Sequence, residues 1–139
     1  MATNRGFRIE ISSRYEGWWR YNVTLMCGLF DRGDRRIGFA SAESRVADPG
    51  SGAERPPADY DPARRPALET GPCDHLQLYV YIIPHRLPDG NDIESARPFD
   101  VEIDIRSDGR EILHQRRAVN QWSGASIEMR VGSEAPSCE

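Results

Sequence analysis

Phe99, Val101, Ile103 and Ile105 alternate with Asp100, Glu102 and Asp104, and Ala125, Ile127, Met129 and Val131 alternate with Ser126, Glu128 and Arg130. A period of two sends successive side chains to opposite faces of a strand, so each run has one apolar face and one wet face. Phe7, Ile9 and Ile11 repeat the pattern near the start of the chain. The longest β-prone stretch runs from Trp18 to Phe30, with Trp19, Tyr21, Val23, Leu25, Cys27 and Leu29 on one face. Asp31-Arg32-Gly33-Asp34 reads as a turn, and Arg36 to Ala40 as the returning strand of a hairpin with apolar faces matched.

Leu76, Leu78, Val80 and Ile82 form one face of a further strand, ended by Pro84, whose other face carries Tyr79, Tyr81 and Ile83. With both faces apolar or aromatic, it reads as a central strand buried on two sides or covered by a loop. Asp108-Gly109 is a strong two-residue hairpin signal. That turn pairs Ser107 with Arg110, Arg106 with Glu111 and Ile105 with Ile112, but then sets Ile103 beside His114 and Val101 beside Arg116. A bulge near His114–Arg117 would restore Val119 to the inner face.

Between the patterned regions, residues 46–74 hold six of the ten prolines and almost no large apolar side chains. Proline removes ladder donors and fixes φ, which excludes a central strand. The segment reads as a long surface loop with Tyr60 and Leu68 as its anchors. Neither half of the chain has enough strands to close a core alone, so residues 1–139 read as one domain. Asp92–Ala96 has room for a single helical turn, and 132–139 reads as a disordered polar tail. About seven strands without useful helical periodicity predict an all-β chain closed as an antiparallel β-sandwich, with a small β-barrel as the second closure.

A length of 139 residues suffices for a core without metal or disulfide staples. No apolar run is long enough to span a membrane, and MATNRGFRIEIS lacks the apolar stretch of a secretory signal, so a cytoplasmic chain is expected. Cys27, Cys73 and Cys138 are odd in number and widely spaced, which fits free thiols better than a disulfide framework. Cys27 reads as a core residue. Cys138, in the tail, is open to cross-linking.

All 18 basic residues are arginine. A GC-rich coding sequence explains this most simply, and escape from lysine modification is the alternative. The net charge is −4, with the first 45 residues basic (8 Arg against 5 acidic) and the remainder acidic. That distribution argues against a general nucleic-acid binder.

The aromatic residues are the most suggestive candidates for a site. Tyr15, Trp18, Trp19 and Tyr21 cluster at one strand end, and Trp122 precedes the last strand. Strict alternation would put Trp18 and Trp19 on opposite faces, leaving one of them outside as a sugar-stacking platform or a protein anchor. The other reading buries both under the 46–74 loop. Tyr79, Tyr81 and Ile83 form an apolar patch if that loop leaves them uncovered.

The remaining motifs have simpler explanations. Asp89, Asn91, Asp92 and Glu94 have the oxygen-rich look of a calcium loop but lack its full spacing, so turn chemistry accounts for them. Cys73 and His75 invite a thiol–imidazole pair. His75 and His85 lie about 30 Å apart along one strand, too far to share a metal, and read as solvated strand ends. His114 reads as partly buried and bonded to a neighbour. Asp100, Glu102 and Asp104 line an open strand face that Arg117 and other arginines would neutralise, which is no catalytic cleft. Arg32-Gly33-Asp34 spells an integrin-binding tripeptide, but in a hairpin turn this is a chance match.

These observations favour a non-catalytic interaction module that docks a protein partner or self-associates through Tyr15, Trp18, Trp19, Tyr79, Tyr81 and Trp122. A carbohydrate- or Ca2+-binding module is the alternative, and a thiol-dependent enzyme using Cys73 comes third. No cofactor is implied.

Overall fold

Each alternating run forms a strand whose apolar parity turns inward. The computed structural model describes residues 6–47, 55–61, 63–86 and 97–132. Its strands are β1 (Phe7–Ser12), β2 (Tyr21–Phe30), β3 (Arg36–Ser44), β4 (Ala67–Glu69), β5 (His75–Pro84), β6 (Phe99–Ser107), β7 (Arg110–Val119) and β8 (Ala125–Gly132). They make two four-stranded sheets, ordered β4-β1-β6-β7 and β3-β2-β5-β8. All pairings are antiparallel. This is a β-sandwich, and no ladder among the described residues joins the sheets into a barrel.

The core lies between the sheets. Phe7, Ile9 and Ile11 of β1 and Val101, Ile103 and Ile105 of β6 meet Val23, Leu25 and Cys27 of β2 and Leu76, Leu78, Val80 and Ile82 of β5. No described helix is long and apolar enough to cross a membrane.

Four sequence expectations are corrected by tertiary contacts. The strand expected from Trp18 starts at Tyr21, because Trp18–Arg20 form a 3-10 turn. In that turn the Arg20 amide donates to the Gly17 carbonyl at 3.0 Å. The turn abolishes the alternation that would have put one tryptophan outside. Both are buried, Trp18 at 2% and Trp19 at 7% exposure.

Residues 46–74 are not loop throughout, since Ala67–Glu69 pair with β1 as the eighth strand and Leu68 is buried against the core. Pro66 precedes this edge strand, where its missing N–H is not needed and its carbonyl accepts the Ile11 amide at 2.9 Å. Arg64 clasps the segment to the sandwich. Its guanidinium donates to the Tyr21 carbonyl at 2.8 Å and the Ser44 carbonyl at 3.2 Å, and lies 5.0 Å from the Trp18 ring.

The β6–β7 bulge exists, but it lies earlier than His114–Arg117. Ser107 pairs with Arg110 and Arg106 with Glu111, whereas Ile105 pairs with Leu113, leaving Ile112 as the extra residue. His114 therefore faces Asp104 and not Ile103, and Arg116 faces Glu102. Arg117 falls opposite Val101, off the carboxylate face.

Finally, β3 continues to Ser44. Gly38, Ala40 and Ala42 lie opposite Leu29, Cys27 and Leu25, so these small residues hold the inner parity and Phe39 turns outward.

Buried thiols make alkaline stability a test of the core. Cys27 is fully buried, and burial, with Cys73 nearby, pushes its thiol up to about 11. The folded chain thus holds this proton more tightly than the unfolded chain, whose ordinary value is 9.0. The contribution is complete below pH 9 and fades as pH rises towards about 11, a loss on the order of 2 kcal/mol. Urea midpoints measured across that interval should fall more steeply for the wild type than for Cys27→Ala. Parallel slopes would refute the assignment.

Candidate functional site

The β3-β2-β5-β8 sheet has an outer face built by the parity opposite to the core. On β5 it carries Gln77, Tyr79, Tyr81 and Ile83, and on β2 Asn22, Thr24 and Met26. The ladders set Met26 beside Tyr79, Thr24 beside Tyr81 and Asn22 beside Ile83, while Ser41 of β3 neighbours Met26. Phe39 sits opposite Gly28. Phe39, Met26, Tyr79, Tyr81 and Ile83 therefore form a diagonal stripe about 20 Å long, from six residue steps at about 3.4 Å each.

Among the described residues three large hydrophobic side chains stand out as exposed: Ile37 at 53%, Phe39 at 61% and Ile83 at 51%. Phe39 and Ile83 end the stripe. Ile37 is the extra residue of a bulge, since Leu29 pairs with Gly38 and Phe30 with Arg36. Polar groups rim the patch. Gln77 donates to Glu128 at 3.2 Å, and Arg130 lies 4.0 Å from Asp34.

The predicted aromatic set is divided by the fold. Tyr79 and Tyr81 are half-buried on this outer face. Trp18 packs inside, 6.2 Å from the Phe99 ring and 6.4 Å from the Tyr21 ring. Trp19 lies against His85, with ring centroids 6.0 Å apart. Tyr15 stacks on Phe99 at 4.4 Å and donates its hydroxyl to Gln121 at 3.0 Å. Trp122 is half-buried in the turn before β8, where its amide donates to Asn120 Oδ1 at 2.8 Å. Asp89, Asn91, Asp92 and Glu94, with the Asp92–Ala96 turn, lie outside the described residues, as does Cys138.

Sequence reasoning missed Ile37 and Phe39, expecting them inside. Extending β3 to Ser44 would have exposed the error. Ile37, Phe39, Ser41 and Glu43 share one parity, and a parity that ends in serine and glutamate faces water.

The histidines at the ends of β5 are buried, contrary to the solvated strand ends expected of them. His75 is 5% exposed, stacks on Phe30 at 5.3 Å, and places Nδ1 2.8 Å from Asp74 and Nε2 2.7 Å from Asp34. His85 is 2% exposed and bonds the Trp19 carbonyl through Nε2 at 2.7 Å. The hairpin turn covers one end of β5 and the 3-10 turn the other. Both His75 nitrogens thus face carboxylates, and no thiol–imidazole hydrogen bond forms with Cys73. That cysteine is buried, and burial raises its thiol above the ordinary value, which lowers its thiolate fraction.

The opposite sheet presents a charged outer face. Arg8 bridges Glu10 and Glu69, both at 2.7 Å. His114 is exposed, not partly buried, with Nδ1 2.5 Å from Asp104 and Nε2 3.2 Å from Glu102. The hydrogen bond that its Nδ1–H donates to Asp104 raises its pKa, with the charges of Asp104, Glu102 and Glu111 adding to it. Asp104, Glu111 and His114 bring potential ligand atoms within 4.8 Å of one another, the one described group able to hold a metal ion. A depression of about 380 Å³ lined by Arg14, Tyr15, Phe99, Asp100, Glu102 and Arg116 lies nearby. Cationic and anionic groups alternate across this face and neutralise one another.

No protein-family model matches the sequence, and no curated protein matches it. Two solved structures are similar in fold. One is a DUF4425 family protein from Bacteroides ovatus, with a TM-score of 0.47 and 9% identity over 99% of this chain and 100% of that one. The other is a domain of unknown function, DUF4425, from Bacteroides vulgatus, with a TM-score of 0.47 and 11% identity over 96% of this chain and 98% of that one.

Proposed function

We propose that this chain is a non-catalytic interaction module that docks a protein partner through the outer face of the β3-β2-β5-β8 sheet. The observation that carries this reading is that the three exposed large hydrophobics among the described residues, Ile37, Phe39 and Ile83, all lie on that one sheet. Scattered singly, such residues need no explanation; aligned beside two tyrosines and a methionine, they make a contiguous patch of the kind that marks an interface. Tyrosine supplies much contact area for two rotatable bonds, and the hydroxyl tolerates water until the partner arrives. The rim of Gln77, Glu128 and Arg130 fits the usual anatomy of an apolar centre ringed by polar groups. The sugar-stacking alternative loses its platform, because Trp18 and Trp19 are both interior.

Photocrosslinking tests this. Benzoylphenylalanine placed at position 81 should yield a covalent adduct with another polypeptide in cells, whereas the same probe at Arg106, on the opposite sheet, should not. Adding Ile83→Asp should reduce the adduct about tenfold, the loss expected when a buried anchor becomes charged. Equal adducts from the two probe positions, or none from either, would defeat the reading.

A further inference from the structure

We infer that β3 is the pairing edge of a two-fold symmetric dimer, in which the β3 strands of two copies lie antiparallel and join their sheets into one. The inference rests on reading the β3-β2-β5-β8 sheet as the interaction surface, and it names a second copy of this chain as the occupant of its open edge.

The sandwich has four edge strands, β4, β7, β3 and β8. An open edge offers unpaired N–H and C=O groups, so soluble proteins blunt it with short strands, prolines or charges. Three edges here are blunted. β4 is three residues long and follows Pro66. β7 carries Arg110, Glu111, His114, Arg116 and Arg117. β8 sets Glu128 and Arg130 on its outer face.

β3 is blunted least, its one such device being the bulge at Ile37 near the start of the strand. It runs nine residues, and the six from Ile37 to Ala42 include neither charge nor proline. Among the described residues no strand pairs with its far side, and Arg64 bonds only its last residue, Ser44. Two of the three exposed large hydrophobics among the described residues, Ile37 and Phe39, belong to it.

Charge complementarity selects the occupant. β3 begins with Arg36 and nearly ends with Glu43; both are exposed, and neither has an ion-pair partner among the described residues. Antiparallel self-pairing with Ala40 on the two-fold axis sets Gly38 opposite Ala42, and with Ile37 left out of the ladder by the bulge the next pair is Arg36 of each copy with Glu43 of the other, so the complementary pair forms twice. Parallel pairing would set like charges side by side. The same register places Phe39 beside Ser41 of the second copy, on the outer face of both sheets. Ala40 meets Ala40 on the inner parity, where larger side chains would collide. The two aromatic stripes then lie on one continuous surface, doubling the platform offered to a partner.

Light scattering of the purified full chain tests the inference. The wild type should show twice the 15.7 kDa chain mass, and Glu43→Arg and Arg36→Glu should each shift it towards one chain. The double variant, carrying both reversals, should recover the dimer. Circular dichroism on each variant establishes that the fold is kept, as expected for exposed positions. A wild type of single-chain mass at its highest soluble concentration, or an unchanged dimer in Glu43→Arg, overturns the inference. A monomer that still gives the position-81 adduct with another protein would remove the dimer and leave the docking face standing. A dimer that gives no such adduct would do the reverse.

Discussion

Trp18→Ala is expected to cost about 3–5 kcal/mol of folding stability, the range for truncating a buried large aromatic residue. Trp18 is buried to 2% exposure. It packs against Tyr21, Phe99 and the Arg64 guanidinium, with 5.0 Å from the Arg64 carbon to its ring. Removing the ring forfeits apolar burial and leaves a void that these neighbours cannot fill, because Tyr21 is fixed by its hydroxyl donating to the Gln121 carbonyl at 2.8 Å. Arg64 also loses the face it stacks on, so its hold on the proline-rich segment weakens together with the core. An ordinary domain has about 5–15 kcal/mol in total, so the variant should sit near the edge of folding at room temperature. Urea unfolding followed by circular dichroism measures the effect directly. A loss below about 0.5 kcal/mol, the value for an isolated surface position, would return Trp18 to the outer platform that simple alternation suggests.

That contrast also shows why the aromatic site was only half legible in the sequence. Alternation is a property of strands, and it ceases to apply where the chain turns. Gly17 permits the turn locally: a Cβ there would stand 2.5 Å from the Tyr15 ring. Nothing in the order of residues from Trp18 to Phe30 marks three of them as helical, because the closing contacts come from Arg64 and Phe99, far away in the chain. For Tyr79, Tyr81 and Ile83 the same rule worked, since β5 is regular along its length. For Ile37 and Phe39 it fails through size: large apolar residues read as inward, whereas the inner parity belongs to Gly38, Ala40 and Ala42. Cys27 and Leu25 already fill the space opposite, and small residues are what can close over them.

The rest of the fold was readable to the extent that local chemistry decides it. Asp108-Gly109 specified a two-residue turn, and both residues adopt positive φ, 56° and 75°. Ser107–Arg110 and Arg106–Glu111 pair as that turn dictates. The bulge was required by the parity of Val119, but its position depends on which residues can be squeezed out of the ladder. Ile112 is expelled immediately after the turn, so that Asp104 meets His114 and Glu102 meets Arg116, and the outer face gains two favourable charge pairings. β4 was hidden because three residues carry almost no periodicity. Pairing with β1 creates it, and Leu68 was its one local signal.

The steepest backbone effect should come from Gly124→Ala, which we expect to cost about 3 kcal/mol or more, against about 1–2 kcal/mol for Gly109→Ala. The two glycines form a matched pair. Their φ angles are +74° and +75°, so an alanine meets the same left-handed penalty at each. Their surroundings differ completely. A Cβ at Gly109 has nothing within 4 Å, whereas one at Gly124 would lie 1.9 Å from the Ile82 carbonyl oxygen and 3.1 Å from the Pro84 ring. That oxygen belongs to β5, the central strand held by β2 on one side and β8 on the other, so it cannot retreat without disturbing both ladders. The turn itself is equally constrained: the Gly124 amide donates to the Asn120 carbonyl at 2.8 Å, and Asn120 Oδ1 accepts the amides of Trp122 and Ser123. Gln121, between them, is gripped by the Tyr15 and Tyr21 hydroxyls. Because φ is common to both substitutions, the difference between their urea midpoints isolates the collision. Equal costs would mean that the Asn120–Gly124 turn can swing away from β5, and the close packing that carries the chain from one sheet to the other would then have to be abandoned.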